Sequence, residues 1–131
     1  MPLALPALTT LVALLLYFVT IANVGRARFR DKIVAPAVTG HPRFERVFRV
    51  QMNTLEQLVL FLPALWLFAL LLSPVWASLL GVVWIVGRAL YAIGYYRAAE
   101  KREAGFVIAS IAFAVLWLGA AWGAVRMLLS A

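Results

Sequence analysis

The chain has 131 residues, of which 66% are hydrophobic and 13% charged. Its mean hydropathy is +0.98, and so short a chain leaves too much surface exposed to hide that apolar content in a core of its own. A soluble monomer, a disordered protein and a nucleic-acid-binding domain are thereby excluded, and the formal charge of +7 belongs to a lipid-soluble chain. There is no Cys and one His, His41, so the sequence offers no disulfide framework, thiolate nucleophile or His/Cys metal cluster. Any thiol chemistry must use a thiol brought by a ligand.

Residues 1–25 carry no charge, enough for one bilayer crossing of about 20 apolar residues. The segment lacks the basic start and short apolar core of a secretory signal. Arg26, Arg28, Arg30 and Lys32 follow it. Residues 31–43, DKIVAPAVTGHPR, read as a connection with His41 solvated in it. The next uncharged stretch, 57–87, has 31 residues, too many for one crossing. Ser73-Pro74 interrupts it, and Pro suits a turn or a first helical position, so a tight hairpin is expected there. A last uncharged stretch spans 104–125.

The expected architecture is all-α, a single membrane domain over 1–131 with helices at about 4–25, 44–72, 75–98 and 104–128. The basic clusters after the first and third spans lie on one side, which the positive-inside rule makes cytoplasmic. Both termini then face out. The five Trp read mostly as interfacial or lipid-facing residues.

Polar residues interrupt the second and third spans. At 100° per residue, with Arg49 at 0°, Arg46 falls at about 60°, Asn53 at about 40° and Glu56 at about −20°. Gln51 points away, near about 200°. On the third helix, with Arg88 at 0°, Tyr91 falls at about −60° and Tyr95 at about −20°, and Arg102 at about −40° if the helix continues. An ionised residue inside a span costs roughly 2.5–3.5 kcal/mol on lenient scales, so Glu56 and Arg88 must face protein or water. One reading is a structural Glu56–Arg88 ion pair. The other is a pocket whose excess of Arg binds carboxylates, with Glu56 for an ammonium group, Asn53 as donor and acceptor, and the Tyr hydroxyls as donors. A small peptide with two carboxylates and one amine matches that set.

Residues 44–61, FERVFRVQMNTLEQLVLF, carry E-R-x-x-R-x-Q-x-N-x-x-E on Glu45, Arg46, Arg49, Gln51, Asn53 and Glu56. Together with GRALYAIGYYRAAEKR at 87–102, they resemble the MAPEG family, membrane-associated proteins of eicosanoid and glutathione metabolism. The likeness is nearest to its microsomal glutathione transferase and leukotriene C4 synthase branch. It departs from that pattern at Gln57, where the leukotriene synthase has Tyr, and at Arg26-Ala27-Arg28, which replaces a paired Arg.

The resemblance implies a transmembrane four-helix bundle assembled as a homotrimer, with glutathione as co-substrate between subunits and no metal. Arg49, Asn53, Glu56, Tyr91 and Tyr95 match its glutathione contacts, and Arg88 joins them here. Arg26 and Gln51 are implied to reach glutathione across the subunit boundary. Arg102 is implied to stabilise the thiolate that attacks a lipophilic electrophile or reduces a lipid hydroperoxide. The alternatives are a non-catalytic glutathione- or lipid-binding protein of the same fold, a purely structural trimer, and a small drug–proton exchanger. The exchanger is disfavoured because Glu56, its only candidate proton carrier, is surrounded by arginines.

Overall fold

The fold turns on the expected hairpin. In the computed structural model, which describes residues 2–131, Leu72 and Ser73 join two long helices. Ser73 caps the second of them by accepting the Trp76 N–H at 3.2 Å, and Pro74 occupies its first turn. A side-chain oxygen there satisfies one of the N–H groups a helix start leaves free, and Pro has no such group to satisfy. The helices are α1 (Ala4–Asp31), α2 (Pro42–Leu71), α3 (Pro74–Arg97) and α4 (Glu103–Leu129), with a 3₁₀ turn at Ala99–Arg102 before α4. All four are long and apolar enough to cross a membrane.

The α2–α3 hairpin is the centre of the bundle, and each of its helices packs against both α1 and α4. Its core is large on the hairpin and small on the flanks. Phe61 and Trp84 stack with ring centroids 3.9 Å apart, among Leu58, Leu65, Ala109, Ala112 and Leu116. Small residues bring α4 close to α3: a Cβ added to Gly105 would lie 2.2 Å from the Tyr91 nitrogen, and one on Gly87 2.6 Å from the Ala109 nitrogen. Such packing is how membrane helices gain contact without a hydrophobic drive between them. The outer faces carry exposed Leu8, Leu11, Leu15, Phe18, Val59, Leu70 and Leu118, as helices lying in lipid do.

Three local expectations are corrected. α1 runs to Asp31, six residues past the expected end at 25, because its basic residues continue the helix beyond the apolar stretch. His41 is not a free loop residue: its Nδ1 accepts the Arg43 N–H at 3.1 Å and caps α2. Trp84 is fully buried, and the Trp66 indole donates to Thr10 Oγ1 at 2.9 Å; Trp76, Trp117 and Trp122 are exposed as expected. α3 ends at Arg97, close to the expected 98, so Arg102 does not continue its stripe. Ala98 is extended (φ −163°), and Arg102 stands on the 3₁₀ turn.

Candidate functional site

The arginine-rich end of the bundle is where α1 ends, α2 begins, α3 ends and α4 begins. Its connections are tied down by charge. Arg30 and Arg43 both pair with Asp31, which fastens the tip of α1 to the start of α2. The hydrogen bonds from Arg30 and Arg43 hold the Asp31 carboxyl well below the usual carboxylate range. Asp31 lies past the uncharged stretch, outside the apolar part of the span. Arg28 donates to the Ala37 carbonyl at 2.7 Å and lies over the Phe44 ring at 5.0 Å. It is thereby committed to the loop. Arg26 keeps an exposed position and donates to Asn23 Oδ1 at 2.8 Å.

Three cavities open at this end, and they divide the expected residues. Asn53, Glu56, Arg88, Tyr91 and Arg102 share one of about 600 Å³, with Gln57, Glu103, Phe106 and Val107. Arg49 and Tyr95 line a second, of about 710 Å³, with Arg46, Arg97, Glu45 and Glu100. Arg26 lines a third of about 360 Å³ with Asn23, Arg30, Arg43 and Tyr96. Gln51 is half-buried and lines none of these three. The stripe drawn on α2 is thus split: Asn53 and Glu56 face one cavity and Arg49 the next.

The first cavity has a built inner wall. Arg88 is 2% exposed, and its Nη2 donates to Thr54 Oγ1 at 3.2 Å. Its guanidinium carbon lies 3.8 Å from the Tyr91 ring centroid, a cation–π contact. The Asn53 amide donates to the Tyr91 hydroxyl at 2.7 Å. Tyr95 meets Tyr91 edge-on at 5.6 Å, and Arg102 lies 5.3 Å over the Tyr95 ring. The two tyrosines therefore form the partition between the first two cavities, with one arginine at each end.

No Glu56–Arg88 ion pair forms. The ion pairs among the described residues are those to Asp31, and Glu56 is exposed. Arg102, now off the α3 stripe, reaches the same cavity from the turn and donates to the Ala99 carbonyl at 2.8 Å. Sequence reasoning missed Thr54, Asn23 and Tyr96. Asn23 donates to the Tyr96 hydroxyl at 3.0 Å, and Arg46 donates to the Tyr96 carbonyl at 3.4 Å. Thr54 lies one residue from Asn53, and a hydroxyl inside an otherwise apolar helix face was the available signal.

Fold and site together define a four-helix membrane protein with a polar, arginine-lined cavity at one end. The chain belongs to the MAPEG family, whose model matches residues 6–122, and it is an integral membrane protein. It is 56% identical over 115 residues to an uncharacterised protein of Synechocystis, covering 88% of this chain and 84% of that one. It is 46% identical over 101 residues to human microsomal glutathione S-transferase 2, covering 77% and 69% respectively. With bovine leukotriene C4 synthase it shares 36% identity over 125 residues, covering 95% and 81%.

Proposed function

We propose that this protein is a membrane-embedded glutathione transferase. The observation that carries the reading is the single cavity of about 600 Å³ lined by Asn53, Glu56, Arg88, Tyr91 and Arg102. It offers cations for carboxylates, an anion for an ammonium group and hydroxyl and amide groups for peptide bonds, which is what a bent tripeptide with a free amine needs. Relatives that carry the names microsomal glutathione S-transferase 2 and leukotriene C4 synthase support it.

The protein works as a homotrimer with its arginine-rich end in the cytoplasm, in an inner membrane, and with both termini outside. Two features favour a site completed by a second copy. The expected residues are split over three cavities of one chain, and Arg26 and Gln51 stand apart from the first. Arg26, rather than the loop-bound Arg28, is the arginine that crosses the boundary. Arg49 and Tyr95 hold glutathione from the adjoining cavity.

Arg102 stabilises the thiolate. A free thiol has a pKa of about 8.5, and a guanidinium within reach favours the charged form by about 1–3 units. The thiol proton leaves to water. The sulfur then forms a bond to an electrophilic carbon that arrives through lipid, past Phe106 and Val107, and the electron pair of the broken bond leaves with the departing atom. With a hydroperoxide, two glutathiones give the disulfide, an alcohol and water.

A second reading, binding without turnover, is favoured by one contact: Arg102 is spent on the Ala99 carbonyl. An ultraviolet difference titration of the detergent-purified protein with glutathione separates the two. A saturable thiolate band at neutral pH is expected. Stabilisation by glutathione without that band supports the binding protein, and neither effect removes glutathione from the account.

A further inference from the structure

Among the described residues Arg88 is the one charged residue buried as a whole, and unlike the covered Asp31 carboxylate, which Arg30 and Arg43 pair, it has no ion-pair partner. A guanidinium carries five N–H donors, and removing it from water is costly unless they are met. Here one protein hydrogen bond meets it, to Thr54 Oγ1 at 3.2 Å, and its Nε has no partner. Thr54 is itself fully buried, and its hydroxyl proton is committed to the Val50 carbonyl at 2.7 Å. Bonding back to the previous turn is ordinary for a helical Thr. Its consequence here is that the oxygen can only accept, which is what a guanidinium requires.

Across the same cavity stands Glu56, with no ion-pair partner. Across this cavity the buried cation and the exposed carboxylate attract each other. If they met, they would neutralise each other and fill the space between them. We infer that Thr54 is a positioning residue: it holds the Arg88 guanidinium on the inner wall, against the Tyr91 ring, and so keeps Arg88 and Glu56 apart and both available to a zwitterionic ligand. The identity of that ligand rests on the glutathione reading; the separation of the two charges does not.

The test uses the full chain in detergent. Thr54→Val keeps the shape and removes the acceptor, while Thr54→Ser keeps the acceptor. Glu56→Gln is made in the wild-type, Val and Ser backgrounds, and melting temperatures are compared without ligand. In wild type and in Thr54→Ser, Glu56→Gln is expected to shift melting by less than about 1 °C. In Thr54→Val, where Arg88 turns to Glu56, it is expected to lower melting by about 3 °C or more. A buried threonine that merely packs produces no such coupling, so equal shifts in all backgrounds overturn the inference. Should Thr54→Val not assemble, Thr54→Ala carries the same comparison.

Glutathione binding is the second readout. Thr54→Val is expected to raise the Kd about tenfold, the loss of roughly one charged hydrogen bond, with Thr54→Ser within about twofold of wild type. An unchanged Kd in Thr54→Val overturns the role of Thr54 in ligand binding. If wild type itself binds no glutathione, the proposed function fails, and the melting comparison still decides whether Thr54 holds the two charges apart.

Discussion

The Asn53 amide donates to the Tyr91 hydroxyl at 2.7 Å, joining α2 to α3 at the wall of the first cavity. Both residues are expected to meet a ligand, and here the Tyr91 oxygen accepts from Asn53 while its own O–H proton stays free to donate. Tyr91 is buried, so its hydroxyl is oriented before any ligand arrives. The wall is therefore preorganised, and a ligand meets fixed dipoles rather than ordering them.

Tyr91→Phe keeps the ring under Arg88 and removes only the hydroxyl. It is expected to cost about 1 kcal/mol, since the half-buried Asn53 amide loses its acceptor. Asn53→Ala in the Tyr91→Phe background is expected to cost about 1 kcal/mol less than in wild type, because the shared bond is already gone. Thermal unfolding of the two single variants and the double variant measures this.

Two glycines are expected to respond in opposite directions. A Cβ on Gly105 would stand 2.2 Å from the Tyr91 nitrogen and 2.4 Å from the Gly87 carbonyl oxygen, both backbone atoms that cannot swing aside. Gly105→Ala must push α4 off α3, at a cost of about 1–3 kcal/mol or more. Gly25 lies within α1 with nothing within 4 Å of an added Cβ, so Gly25→Ala is expected to stabilise the helix by roughly 0.5–1 kcal/mol. Melting temperatures in one detergent decide both signs.

Arg102→Ala tests the proposed thiolate role through its pH dependence. A cation beside the sulfur lowers the thiol pKa, so with saturating glutathione the wild-type thiolate band is expected to rise well below pH 8. In the variant it is expected to rise near the free value of about 8.5. Glutathione should still raise the melting temperature of the variant, because Arg88, Glu56 and Asn53 remain. A band that rises at the same pH in both proteins removes Arg102 from the chemistry.

Asp31→Asn tests the clasp between α1 and α2. The folded-state pKa of Asp31 is lowered by Arg30 and Arg43. Its contribution to stability is therefore present above the unfolded value of about 3.9 and lost as the pH falls through the lower folded value. The melting temperature of Asp31→Asn should fall below that of wild type at pH 7, by a small amount because both arginine partners are exposed. The gap should shrink as the pH is taken below about 4.

Much of this protein was legible in one dimension. Long uncharged stretches broken by Ser73-Pro74 are enough to define four helices and their hairpin, because lipid requires each backbone group to be paired within its own segment. The placement of Asn53, Glu56, Arg88 and Tyr91 on two facing stripes followed from helical spacing. Spacing failed to place Arg102, because α3 ends at Arg97, near the expected 98, and a helical angle holds only within one helix. It failed also for Arg49, because a stripe drawn on one helix does not show where a neighbouring helix divides it. There the Tyr91 and Tyr95 rings of α3 form the partition. Thr54 stood out in sequence only as a hydroxyl on an apolar helix face, and its role became visible through its partner, 34 residues away. The sequence by itself determined the spans, their order and which residues carry charge into the membrane, since these depend on local composition. Only the tertiary structure decided which of those charges are paired, which are held apart and which share a cavity, because these depend on how helices distant in sequence approach one another.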